Sequence, residues 1–172
     1  MGKRSDFKRN NHDKYPTPFA AMPFLFPYLK KYERFCEPCA GDGTMIKYLE
    51  MAGHQCAAAW DIEPQHKQID KQDARTRLIG NITCFITNPP WTREVLHPII
   101  ENLSAQHWTW LLFDADWMHT RQANGLWQRC SLIISIGRLK WIPDSKFTGK
   151  DNCCWYRFEP NHLTGPRFIG RA

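Results

Sequence analysis

The chain has 172 residues, 42% of them hydrophobic and 23% charged, with a formal net charge of +6, the size of a single domain with a substantial core. Its longest apolar runs, such as 132–136, fall far short of the ~20 residues of a bilayer span. No apolar segment backs the charged N-terminus, so a secretory signal is not expected. Seven cysteines, odd in number and scattered through apolar segments, favour reduced thiols and a cytoplasmic chain over a disulfide framework.

Residues 1–14 are polar and without periodicity, and read as a disordered arm. Lys3, Arg4, Lys8, Arg9 and Lys14 face only Asp6 and Asp13 there, which favours a polyanionic partner such as a nucleic acid. Tyr15-Pro16-Thr17-Pro18 is a stiff extended segment, and the apolar stretch 19–29, interrupted by Pro23 and Pro27, predicts one short or broken helix. The run 34–38 predicts a first strand, followed by the loop Cys39-Ala40-Gly41-Asp42-Gly43 and a helix from Thr44 as its N-cap, with Gly53 ending it. A second strand over 55–60 closes on Asp61. A short strand or turn is expected near 72–74, and a buried strand over 82–87.

That strand runs into Asn88-Pro89-Pro90-Trp91. Two prolines cannot continue a ladder, and Asn88 before a proline is pushed to an extended conformation. The result is a stiff turn that projects an amide, backbone carbonyls and an indole, a set suited to a planar amine on an aromatic ring. Helical spacing follows over 93–103, then a strand over 108–113, a helix over about 119–129, a strand over 132–136, and a last strand over 153–158 after a polar loop carrying Lys140, Lys146 and Lys150. Residues 161–172 read as a basic tail, leaving 15–160 as the folded domain.

Alternating strands and helices predict an α/β fold with a mainly parallel sheet and helices on both faces. The last two strands, with no helix between them, are expected to pair antiparallel at one edge. Ligands of such sheets gather at the carboxyl ends of the strands, which puts 37–43, Asp61 and 88–91 on one rim. The Cys36-Glu37-Pro38-Cys39 spacing lacks a second pair or histidine partner, so no metal is expected. Two glycines after a strand allow close approach to a ligand. Glu37 and Asp42 would repel a pyrophosphate but suit an ammonium group. Asp61 can accept from ribose hydroxyls, Ile62 can lie against an adenine, and Asp73 can accept from its amino group. Taken together these residues describe a pocket for S-adenosylmethionine.

The chain resembles the class I S-adenosylmethionine-dependent methyltransferases, and within them the adenine-N6 DNA methyltransferases, especially small phage-type enzymes beginning with a Tyr-Pro-Thr-Pro segment. The resemblance spans about residues 15–158. It implies a Rossmann-like, seven-stranded sheet with one antiparallel edge strand. It also implies a cofactor site of Tyr15, Thr17, Pro18, Glu37, Cys39, Ala40, Gly41, Gly43, Asp61, Ile62, Asp73 and Asn88, and a catalytic Asn88-Pro89-Pro90-Trp91. DNA is the implied partner, bound by the arm and by Lys140, Lys146 and Lys150, with RNA as the other nucleic acid. Trp91 departs from the commoner Tyr or Phe, and the chain has no room for a separate target-recognition domain. Two alternatives stay open: transfer to another planar nitrogen, in an RNA base or a protein glutamine amide, and a catalytically idle cofactor- or nucleic-acid-binding protein.

Overall fold

The computed structural model describes residues 15–76, 81–144 and 146–171. The predicted arm, with Lys3, Arg4, Lys8, Arg9 and Lys14, lies outside them. The chain opens with α1 (Met22–Leu25), flanked by 3-10 turns at Phe19–Ala21 and Phe26–Tyr28. Pro23 and Pro27 each stand in a first turn, where the missing N–H removes no helical bond, so the broken helix is a direct result of their placement.

The remaining elements are β1 (Arg34–Glu37), α2 (Thr44–Met51), β2 (Gln55–Asp61), β3 (Asp70–Lys71), β4 (Cys84–Thr87), α3 (Arg93–Ser104), β5 (Trp108–Asp114), β6 (Cys130–Arg138), β7 (Asn152–Phe158) and β8 (Arg167–Ile169). The strands form one sheet in the order β3-β2-β1-β4-β5-β7-β6-β8. All pairings are parallel except those of β7 with β5 and with β6. Alternation along each strand feeds two cores. Cys84 and Ile86 of β4 join Met45 and Leu49 of α2 and Met22 and Leu25 of α1 on one face. Phe85 joins Leu96, Ile99 and Ile100 of α3 on the other. The period of two therefore puts α1 and α2 opposite α3. Trp155 Nε1 donates to the Ala21 carbonyl at 2.9 Å, which pins α1 to the sheet.

Three expectations are corrected. The segment 161–172 is not a tail alone, because Phe168 and Ile169 extend beside β6 after a turn at Gly165 (φ +78°). The sheet thus has eight strands, and the antiparallel strand β7 is internal. No helix covers 119–129. Instead, 3-10 turns at Ala115–His119, Arg121–Ala123 and Trp127–Arg129 follow Asp114, whose carboxylate accepts the Asp116 N–H. The extended Thr120 separates the first two turns, and Trp117, Ala123 and Leu126 turn into the core without helical spacing. Thr44 is not the cap of α2: Gly43, at φ +77°, is, while Asp42 Oδ1 accepts the Thr44 N–H at 2.9 Å. The short strand or turn expected near 72–74 is present, as the pairing of Asp70 and Lys71 with β2 and a turn in which the Thr76 N–H donates to the Asp73 carbonyl at 3.0 Å.

Candidate functional site

The loop after β1 is tied to the end of β2. Ala40 N donates to the Trp60 carbonyl at 2.8 Å, and Gly41 N donates to Asp61 Oδ2 at 2.8 Å. Gly41 adopts φ +54°, and a Cβ there would meet nothing within 4 Å, whereas one on Gly43 would touch Ile69 at 3.6 Å. Gly41 therefore opens onto space and Gly43 turns the chain into α2. The second carboxylate oxygen of Asp61 accepts the Glu63 N–H at 2.8 Å, so Asp61 holds both neighbouring loops with each oxygen retaining a lone pair.

These loops border a cavity of about 470 Å³, within the range of small-molecule sites. Tyr15, Thr17, Glu37, Cys39, Ala40, Gly41, Asp61, Ile62, Asp73 and Asn88 all line it, as does Pro90. Pro18, Gly43, Pro89 and Trp91 are not among its lining residues. Glu37 is 2% exposed, and its Oε2 has no hydrogen-bond partner. Burial, reinforced by Asp42 and Asp61, pushes its carboxyl well above the usual carboxylate range. An unpartnered buried carboxylate at a cavity wall calls for a donor, preferably a cationic one. The chemistry of the wall therefore fits the ammonium group of S-adenosylmethionine.

Asp73 is already engaged. Arg75 forks onto it, with Nη2 donating to Oδ2 at 2.6 Å and Nε donating to Oδ1 at 3.0 Å, and this holds its carboxyl below the usual range. An incoming amino group would share Asp73 with Arg75, itself a lining residue that the sequence reading missed although it stands only two positions away.

Asn88 ties its own turn to the segment at Tyr15. Its Nδ2 faces the Tyr15 carbonyl at 3.5 Å, and its Oδ1 accepts the Trp91 indole N–H at 3.3 Å. Trp91 in turn meets Trp141 edge to face, with centroids 5.5 Å apart. Trp141 comes from the loop between β6 and β7 and was not foreseen, because nothing in the local sequence links positions fifty apart. Val95 and Ile99 of α3 complete an apolar wall. Lys140, Lys146 and Lys150 are exposed in that same β6–β7 loop. Since β6 runs parallel to β8 and antiparallel to β7, which is antiparallel to β5, the loop emerges on the rim that carries Asn88. Among the described residues, no group of three or more His, Cys, Asp or Glu is arranged to hold a metal, and no helix is long and apolar enough to cross a membrane.

No protein-family model matches the sequence, and no curated protein matches it significantly. Solved structures do resemble it. A protein assigned as an RNA methyltransferase from Pyrococcus horikoshii superposes with a TM-score of 0.65 at 11% identity, over 94% of this chain and 93% of that one. A dimethyladenosine transferase from Plasmodium falciparum gives 0.57 at 13% identity, over 86% and 63%. The M protein of the type I restriction enzyme EcoKI gives 0.53 at 11% identity, over 90% and 48%, so this chain spans about half of that one.

Proposed function

We propose that this chain, which has the fold of the class I S-adenosylmethionine-dependent methyltransferases, transfers a methyl group to adenine N6 in DNA. The observation that carries this reading is the meeting in one cavity of Asn88, followed by two prolines and an indole, with the orphaned Glu37 carboxylate. When bound, S-adenosylmethionine supplies an electrophilic methyl group on a positively charged sulfur. Glu37 accepts from its ammonium group, Asp61 accepts from the ribose hydroxyls, and Ile62 packs on the adenine.

The lone pair of adenine N6 is delocalised into the ring, which makes the nitrogen a poor nucleophile. Asn88 Oδ1 and the Pro89 carbonyl accept its two N–H bonds, so the nitrogen pyramidalises and its lone pair is released. The same fixed acceptors stabilise positive charge growing on nitrogen. The stiffness of Pro89 and Pro90 keeps them in place. Trp91 stacks on the ring and offsets part of the few kcal/mol that extrusion from a duplex costs. Trp91 donates one hydrogen bond to Asn88 Oδ1, which leaves that oxygen a second lone pair for the adenine N–H.

DNA is favoured by the net charge of +6 and by the Tyr15–Pro18 segment that backs Asn88. Transfer to an RNA base is the second reading, favoured by the fold likeness to an RNA methyltransferase and a dimethyladenosine transferase. Incubation with methyl-labelled cofactor and, separately, duplex DNA, single-stranded DNA, RNA and cell protein tests both. Label in N6-methyladenine of DNA supports the first reading. Label in RNA or protein alone replaces it, and no label in any substrate leaves an idle binding protein.

A further inference from the structure

The chain keeps a second cluster of charge at the other end of the same rim. β8 pairs parallel with β6 through Leu132↔Arg167, Ile133↔Phe168 and Ile134↔Ile169. Its carboxyl end therefore points the same way as those of β4 and β6, toward the cavity side of the sheet. Two residues beyond it stands Arg171, exposed. Its side chain lies across Gly137: a Cβ there would come within 2.7 Å of Nη1 and 3.4 Å of Cζ. Gly137 also takes φ +88°, at a register shift between Ser135 and Gly137. The positive φ thus requires glycine at this position.

Arg138 follows directly, exposed at the end of β6. Among the described residues, neither Arg138 nor Arg171 forms an ion pair with a carboxylate. Lys140 and Lys146 continue the exposed basic run, against Asp144 and Asp151. Guanidinium groups without carboxylate partners, presented at a rim, match the fork geometry of phosphate oxygens.

We propose that β8 delivers Arg171 across Gly137 so that it grips a backbone phosphate of the nucleic acid whose base enters the Asn88 cavity. This rests on the methyl-transfer reading above. Three strand spacings of about 4.8 Å separate β4 from β6, over whose Gly137 the guanidinium lies, so the contact lies roughly 14 Å from the target. At about 3.4 Å per base along a duplex strand, that is a flanking phosphate about four steps away. Arg171 holds the substrate and touches no reacting atom, so it is a positioning residue.

The test uses the full chain with duplex DNA and, in parallel, RNA of the same sequence. Arg171→Gln lowers the slope of log affinity against log salt by about 0.9, raises KM for the nucleic acid and leaves kcat and cofactor affinity unchanged. Arg171→Lys restores most of the slope, because charge is retained. A slope loss seen with RNA and not DNA supports the contact and identifies its source. If the native chain methylates nucleic acid and Arg171→Gln changes neither slope nor KM while its cofactor affinity is native, the phosphate contact is refuted and the methyl-transfer reading survives. If the native chain labels no nucleic acid, that reading falls and takes the contact with it.

Discussion

The two halves of the sheet's rim carry opposite charge in opposite settings. Around β1, β2 and β4, Glu37 and Asp61 are 2% and 8% exposed, and with Asp42 and Asp73 they make an acidic wall in which Arg75 is the one basic residue among the described residues. Around β6 and β8, Arg138, Lys140, Lys146, Lys150 and Arg171 stand in solvent. Buried charge is weakly screened and acts on one ligand at short range, whereas exposed charge is screened within a Debye length and counts only in numbers. The first half suits one small cation held tightly. The second suits a polyanion held by many weak contacts. A protein that joins a cationic donor to an anionic polymer needs both, side by side.

The comparison can be broken most severely at the junction. Asn88→Ala removes the fixed acceptor, and we expect kcat to fall by about 10²–10³-fold, the size of effect seen when one preorganised transition-state partner is deleted. Cofactor affinity by calorimetry should stay largely intact, since Asn88 acts mainly on the acceptor amine. Asp61→Ala should do the reverse. It releases the Gly41 and Glu63 amides and two ribose partners, so cofactor affinity falls roughly 10- to 100-fold.

Next in size is Trp91. Truncation to Ala removes a base stack worth about 1–3 kcal/mol, and we expect roughly a tenfold rise in KM for the nucleic acid. Trp91→Phe keeps the stack and deletes the indole N–H that donates to Asn88 Oδ1, so its KM should stay within about threefold of native. Equal damage from both substitutions would mean that the hydrogen bond, and not the ring, is what Trp91 contributes.

The smallest effect sharpens the buried half. Burial raises the Glu37 carboxyl, so the folded state holds that proton at pH values where the unfolded chain has lost it. Stability from this group therefore declines as pH climbs above the ordinary glutamate value of about 4.3, until the raised folded value is passed. Glu37→Gln removes that decline, and its melting temperature should exceed the native one by about 2–4 °C for each kcal/mol relieved, with the gap widening as pH rises. Cofactor affinity behaves oppositely. It should increase with pH in the native chain, with proton release on binding, and lose this dependence in Glu37→Gln.

Much of this was legible in residue order, and for local reasons. A double proline must end a strand, so Asn88 and Trp91 announced a turn whatever surrounded them. Near-continuous apolar runs set the β4, β5, β6 and β7 positions closely, because a strand buried on both faces tolerates little else. The segment 119–129 misled because its apolar residues serve an aromatic cluster around Trp117 and Phe113, where tertiary packing outweighs helical propensity. The tail misled because three residues carry too little pattern to declare a strand, and β8 exists only through its partner β6.

What the sequence determined alone is the set of chemical groups: stiff turn, two-glycine loop, acidic strand ends and a basic excess. It could do so because prolines and glycines constrain backbone dihedrals with no help from distant residues. Tertiary structure decided which of these groups meet. The Arg75 fork on Asp73, the Trp91 bond to Asn88, the Trp141 contact and the laying of Arg171 over Gly137 are all orientational. Each depends on side chains brought within a few ångströms by the sheet order, and strand order is a property of the whole fold that no local window of residues contains.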